Sequence, residues 1–485
     1  METSCCTTAA ATPQKLVQIT GPTCYKPSRF NAHTIADDGS LILYNSFTGN
    51  TCTIPAAGIP EANRYLTQAG VQAPLGKIGE YLFKKGYLVE ESVDEDARWD
   101  LRYSLQQFRP DILELILLSS EECNFRCIYC SQTFSKGTMT SEVRQGVRNL
   151  VAKRIRKLQA LRIAWFGGEP LLGYDAIAEL APFFQQAARD YDVAFTSDIT
   201  SNGYLLTRDR SRALLEWGVK EFQITMDGTV QDHDSHRPLK EGGSTFQTVF
   251  NNLVALKQHK FDYNVFIRVN FDNTNVHKLT PLVEMIRQHF GGDSRFQVRF
   301  HPVGKWGGPH DDELDVCGTR DTVQHLIRLR EQARSAGVSS EKVSPYLQPM
   351  GKNVCFAARP YSFVVGADGK LMKCTEVLDT HPSNIVGQLD PDGDLNLDAD
   401  AFAKWVKPYY KEDHMCSKCF FVPVCQGVIC VLPRFYGEDS RSCPTEKLEI
   451  RNSLLEVWRE KTATGEGHHV QLGSAAHIER QGSTG

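Results

Sequence analysis

Between residues 30 and 54 apolar β-formers alternate with polar positions around turn signals, as in Leu41-Ile42-Leu43-Tyr44 after Asp37-Asp38-Gly39. This pattern predicts short strands. Helical spacing of apolar residues follows at about 59–69 and 75–86, and Gly86-Tyr87-Leu88-Val89 reads as one more strand. An acidic run, Glu90, Glu91, Asp94, Glu95 and Asp96, closes the segment. Strands, two helices and a last strand predict a small winged-helix-like module over 25–97. Residues 1–24 are rich in Thr, Ala and Pro and have no periodicity, and the tail 462–485 is polar. Both are expected to be disordered.

After Arg109-Pro110 the pattern becomes repeated strand–helix units. Strands are predicted at 112–119, 161–166, 194–199, 220–226, 264–270 and 296–302. Amphipathic helices fill the gaps at about 139–158, 174–190, 207–217, 244–258 and 276–290. Such α/β alternation predicts a parallel, partly closed barrel over 108–312, with its chemistry at the C-terminal strand ends. A helical linker, 313–349, leads to a region rich in Cys, Gly and Pro and then to a helix at 446–461. The region 350–461 has little periodicity before that helix and is expected to need metal to fold.

Length and charge narrow the choices. A chain of 485 residues is long enough for several domains, each with its own core. Lys and Arg total 54 against 58 Asp and Glu, a net charge of −4 that excludes a general binder of nucleic acid. No run approaches the roughly 18 apolar residues of a membrane span. The opening Met-Glu-Thr-Ser-Cys-Cys lacks a basic segment followed by an apolar one. A cytoplasmic protein is expected. Its 15 cysteines are odd in number and about 3% of the chain. A disulfide scaffold carries roughly 8–10%, so a reducing compartment fits.

Position tells more than number. Cys5, Cys6, Cys24 and Cys52 have no ligand-like spacing and read as isolated thiols. The others fall mostly in tight groups: Cys123-x3-Cys127-x2-Cys130, then Cys355, Cys374, Cys416, Cys419, Cys425, Cys430 and Cys443, with Cys317 between. Thiolates gathered by short loops select zinc or iron–sulfur clusters. The triplet directly follows the first barrel strand. The second strand ends in Gly167-Gly168-Glu169-Pro170, and later ends read Thr200-Ser201-Asn202-Gly203, Met226-Asp227-Gly228 and His233-Asp234-x-x-Arg237. The sixth strand runs into Val303-Gly304-Lys305-Trp306-Gly307-Gly308, an aromatic lip at the barrel mouth.

The triplet, with Tyr129 before its last cysteine, resembles the signature of the radical S-adenosylmethionine (SAM) superfamily, and Gly167–Pro170 resembles that family's GGEP motif. The resemblance implies a partial (β/α)6 TIM-like barrel. It implies a 4Fe–4S cluster on Cys123, Cys127 and Cys130, with one iron open to SAM. SAM contacts would fall on Gly167, Gly168, Glu169, Pro170, Ser201, Asp227 and Arg237. Reductive cleavage of SAM would then yield a 5′-deoxyadenosyl radical that abstracts hydrogen from the substrate, fed by an external donor such as flavodoxin or ferredoxin.

The late cysteines resemble the SPASM domain, which carries up to two auxiliary 4Fe–4S clusters. By that resemblance Cys416, Cys419, Cys425 and Cys443 would hold one cluster and Cys355, Cys374 and Cys430 the other. Cys317 is a candidate fourth ligand, or that site is open. SPASM proteins modify peptides or proteins. The module 25–97 resembles the leader-peptide recognition elements of peptide maturases, which capture a leader as an added strand. A maturase forming a thioether, carbon–carbon or similar bond in a ribosomally made precursor peptide is therefore expected. The alternative is an anaerobic sulfatase maturase that forms formylglycine. Such maturases carry an Asp just after the cysteine matching Cys374, where this chain has Thr375-Glu376. A reading from another class, a zinc-binding winged-helix regulator, would require a Lys/Arg-dense helix that the first module lacks.

Overall fold

Large apolar residues at every second position of 112–302 build six strands in the computed structural model. It describes residues 23–134, 136–349, 355–378, 381–427, 430–435 and 443–464. The strands are β1 (Ile112–Ser120), β2 (Ala160–Gly167), β3 (Ala194–Ser201), β4 (Val219–Thr225), β5 (Asn264–Phe271) and β6 (Phe296–Pro302). Each pairs in parallel with the next. Parallel neighbours need crossovers. Helices Ser141–Arg154, Tyr174–Asp190, Arg208–Glu216, Phe246–Lys257 and Thr280–Phe290 supply them.

One face of each strand carries the core, including Leu115, Leu117, Ile163, Trp165, Ile199, Ile224, Ile267 and Val298, all fully buried. The alternate positions hold polar groups, among them Glu114, Arg162, Asp198, Gln223 and Arg268. Gln223 and Arg268 of this face line a cavity at the sheet's C-terminal end.

The sheet does not end with the sixth strand. β7 (Ser362–Val365) pairs in parallel with β1, and β8 (Lys370–Met372), β9 (Ile385–Leu389) and β10 (Leu395–Leu397) follow antiparallel. The ten strands run β6-β5-β4-β3-β2-β1-β7-β8-β9-β10. The barrel, the linker with its helix Thr319–Ser335 and the cysteine-rich region thus lie in one compact unit, 96–464 of the described residues. The terminal helix reaches Thr464, past the expected start of the tail. The rest of the tail lies outside the described residues. Among the described residues no helix is long and apolar enough to cross a membrane.

Residues 23–95 form the other unit. Strands Asn31–Ile35, Leu41–Asn45 and Asn50–Ile54 make an antiparallel meander. A second sheet sets Cys24–Pro27 between Val71–Gln72 and Leu88–Glu90. Helices Ile59–Thr67 and Lys77–Lys84 cover a core of Leu41, Leu43, Ile54, Tyr65, Ile78, Leu82 and Tyr87. Asn45 is fully buried and ties the unit together. Its amide nitrogen donates to Ser28 Oγ, Asn31 Oδ1 and Gly86 O, while its oxygen accepts from the Phe47 and Thr48 amides. Cys52 lies in this core and Cys24 opens a strand. Cys24, expected within the disordered N-terminus 1–24, is thus ordered, while residues 1–22, with Cys5 and Cys6, lie outside the described residues.

Candidate active site

The loop after β1 is held by its own backbone. The Phe125 amide donates to Cys123 Sγ at 3.3 Å, and Arg126 reaches back to Cys123 O and Phe125 O at 2.8 and 2.7 Å. The amides of Arg126 and Ile128 donate to Pro238 O and His236 O, so the loop is fastened to the segment that carries Arg237. Cys123, Cys127 and Cys130 are free thiols and line one cavity. Burial pushes Cys123 up to about 11 and Cys127 up to about 12, which keeps them protonated until a cation replaces the proton.

About 1110 Å³ of space lies between the cavity walls, open mouth included. Gly167 and Gly168 line it. A Cβ at Gly167 would stand 1.9 Å from Ser120 O, and one at Gly168 2.4 Å from Glu122 O. The glycines are demanded by the cysteine loop crossing over them, in addition to any ligand.

Glu169 is fully buried behind this wall and does not line the cavity. Its carboxylate accepts from the Leu171 amide at 3.0 Å, Ser201 Oγ at 2.8 Å and the Asn202 amide at 2.7 Å. It fixes the end of β3 against the end of β2, and Pro170 begins the turn behind it. Ser201 and Arg237 do line the cavity. Asp227 is fully buried behind Tyr129: it bonds the Tyr129 hydroxyl and accepts from the Asn270 amide at 2.9 Å. Arg237 donates to Tyr129 Oη at 2.6 Å and lies 3.8 Å from Asp227, while its Nε is buried with no partner. The rest of His233-Asp234-x-x-Arg237 is scaffold. His233 Nδ1 accepts from the Asp227 amide, and Asp234 caps the helix Phe246–Lys257 through the Thr245 and Phe246 amides.

Several lining residues lie outside the expected SAM contacts. Asn202 donates to Asn124 at 2.8 Å and sits 3.8 Å from Cys123 Sγ. Gln132 donates to Gly167 O at 3.1 Å. Arg268, Asn270 and His301 enter from β5 and β6, and Trp306 from the lip. Asn202 could have been found as the middle of Ser-Asn-Gly. Arg268 and His301 are single polar residues in strands and leave no local signature.

The late cysteines fall into two neighbourhoods. Cys425 lies within electrostatic reach of Cys416, Cys419 and Cys443. Cys374 lies within reach of Cys355 and Cys430. Cations face the first set: Lys447 donates to Cys443 Sγ at 3.2 Å and Arg434 to Cys416 Sγ at 3.4 Å. Burial pushes Cys425 up to about 12 and Cys430 up to about 11. Cys317 has Asp272, Asp315 and Asp321 as its charged neighbours. Among the described residues no three Cys, His, Asp or Glu side chains close around one metal-ion position. Glu376 connects the two regions. It lines the cavity, its carbonyl accepts from Ser131 Oγ at 2.9 Å, and its charge bears on Cys130, Cys374 and Cys430.

A mostly parallel sheet with three thiols at the end of its first barrel strand defines an enzyme class. Residues 117–286 match the model of the radical SAM superfamily, so the chain is an enzyme that carries a radical SAM domain. This sets aside the zinc-binding regulator. Among similar proteins are a serine-type anaerobic sulfatase-maturating enzyme of Klebsiella pneumoniae and the radical SAM cyclopropyl synthase TigE of Paramaledivibacter caminithermalis. The first is 22% identical over 321 residues, 63% of this chain and 78% of that protein. The second is 22% identical over 467 residues, 86% of this chain and 93% of that protein. Native anSMEcpe, solved with bound AdoMet and the Cp18Cys peptide, shares the fold with a TM-score of 0.55 and 19% identity. That match covers 74% of this chain and 99% of that one.

Proposed function

We propose that the protein is a maturase of ribosomally made peptides. Cys123, Cys127 and Cys130 hold a 4Fe–4S cluster, and SAM lies against Gly167, Gly168, Ser201 and Arg237. Bound and reduced there, SAM supplies a 5′-deoxyadenosyl radical able to take hydrogen from an unactivated C–H bond. The chain contributes orientation and exclusion of water. Arg237, with a buried Nε lacking a partner, suits the methionine carboxylate. Glu169 positions Ser201 and Asn202, and Asp227 positions Tyr129 and Arg237. Trp306 closes the lip, where Gly304 leaves it room: a Cβ there would stand 2.8 Å from the indole nitrogen.

Cys416, Cys419, Cys425 and Cys443 hold one auxiliary cluster, and Cys355, Cys374 and Cys430 a second. An external flavodoxin or ferredoxin supplies electrons in the cytoplasm, and the precursor's leader adds as a strand to the module 25–97. One observation carries this reading: three unpaired thiols share a cavity with Gly167, Gly168 and Arg237. Anaerobically reconstituted protein given SAM and dithionite should release 5′-deoxyadenosine. Equal release by the Cys123, Cys127, Cys130 triple alanine variant would sink the site assignment.

A second reading, formylglycine formation, is favoured by Glu376. The residue after Cys374 is not acidic, yet the next one brings a carboxylate into the cavity. A sulfatase-derived Cys or Ser peptide converted to an aldehyde, read by mass spectrometry, would select it over peptide cross-linking.

A further inference from the structure

The cavity contains a second arginine. Arg268, on β5, donates through Nε to Asn270 Oδ1 at 2.8 Å and pairs through Nη2 with His301 Nδ1 at 2.9 Å. Nη1 has no partner, and no carboxylate pairs with the guanidinium among the described residues. Gln223 and Thr225, which line the same wall from β4, are uncharged. A partly desolvated guanidinium without a counter-charge is costly, and its best complement is a carboxylate.

His301 sharpens the choice. Its Nδ1 lies 2.9 Å from both Arg268 Nη2 and Pro302 O. Nδ1 thus lies between a donor, Arg268, and an acceptor, Pro302 O, and ties the guanidinium to the end of β6. A single guanidinium with no second cation beside it suits a single negative charge and falls short of a polyphosphate. Arg268 is also separate from Arg237. Asn270 and Tyr129 stand between them, joined by an Asn270 Nδ2 to Tyr129 Oη bond of 2.9 Å. β5 lies four strands from β1 in the sheet, and the lip begins directly after His301 and Pro302.

We propose that Arg268 and His301 form a carboxylate-binding subsite that recognises an acidic group of the peptide substrate close to its reacting residue. The proposal rests on the peptide-maturase reading and adds a specificity rule to it. The probe is a pool of N-acetylated pentapeptides, each made with Glu or Gln at one scanned position and with an amidated or free C-terminus. Peptides retained by the reconstituted full chain with SAM are counted by mass spectrometry. Wild type should favour Glu over Gln about tenfold or more at one or two positions. Arg268→Gln should erase that preference, and Arg268→Lys should keep a smaller one while controlling for folding. Preference for free-acid members regardless of Glu would name the C-terminal carboxylate as the group bound. Equal retention by wild type, or an unchanged preference in Arg268→Gln, would overturn the proposal. So would a loss of SAM affinity beyond about tenfold in Arg268→Gln by equilibrium dialysis, which would hand the subsite to the methionine carboxylate. Wild-type protein that releases no 5′-deoxyadenosine, yet keeps the Glu preference, would count against the maturase reading alone.

Discussion

Glu169→Ala tests how the site is held without touching the cavity. The carboxylate takes three hydrogen bonds, from the Leu171 amide, Ser201 Oγ and the Asn202 amide, at 3.0, 2.8 and 2.7 Å. Its side chain is fully buried, so water cannot replace it. Each stranded donor costs about 1–3 kcal/mol. Relief of the buried charge offsets part of that, since burial pushes the Glu169 pKa up despite the three bonds. The net loss should be about 2–4 kcal/mol, larger than the roughly 1 kcal/mol of a typical substitution. Urea unfolding of the anaerobically reconstituted protein, followed by circular dichroism, measures it. Glu169→Gln, which keeps one acceptor oxygen, should fall between. If Glu169→Ala unfolds within about 1 kcal/mol of wild type, the carboxylate is not the tie between β2 and β3 that its bonds describe.

Gly167→Ala places a Cβ 1.9 Å from Ser120 O at a residue with φ +140°, so the cysteine loop must shift. It should lower bound iron after reconstitution, checked by iron analysis, with wild-type iron content as the contrary result. Asp198 is pushed up to about 7 from 3.8 by burial first, then by Glu221 and Glu114. An acid raised in this way favours the fold when protonated, so its contribution is full below about pH 4 and lost by about pH 7. Asp198→Asn should match wild type near pH 4 and exceed it by up to ~4 kcal/mol at pH 8, at 1.36 kcal/mol per pH unit; equal pH profiles in urea melts would contradict this. Asn45→Ala strips the first unit of a fully buried side chain that makes five hydrogen bonds, and should cost about 3 kcal/mol or more in melts of that unit's signal by hydrogen exchange.

Much of the barrel was legible because its signals are local. Each strand is a short apolar run, and each motif sits at its end, so β1 to β6 lie within one or two residues of the expected ranges. Cysteine spacing likewise separates the triplet from the late group. The pairing of β7 with β1 was not legible: Ser362 meets Glu114 across some 250 residues, and nothing in either segment names its partner. Motif residues were read as ligand contacts, whereas Glu169 and Asp227 spend their carboxylates on the protein itself. A motif marks a place in the fold, and which of its atoms face the cavity depends on strands far away in sequence. Cys317, a candidate ligand by residue type, has Asp272, Asp315 and Asp321 as charged neighbours, which its sequence position does not announce.

The central claim is that three thiols on one loop hold a cluster with a position open to SAM. Electron paramagnetic resonance of the anaerobically reconstituted, dithionite-reduced full chain tests it directly. A reduced-cluster signal should change shape when SAM is added, and that SAM-sensitive signal should vanish in the Cys123, Cys127, Cys130 triple alanine variant while any signal from the late cysteines stays. A spectrum indifferent to SAM, or a SAM-sensitive signal that survives in the triple variant, would contradict the account.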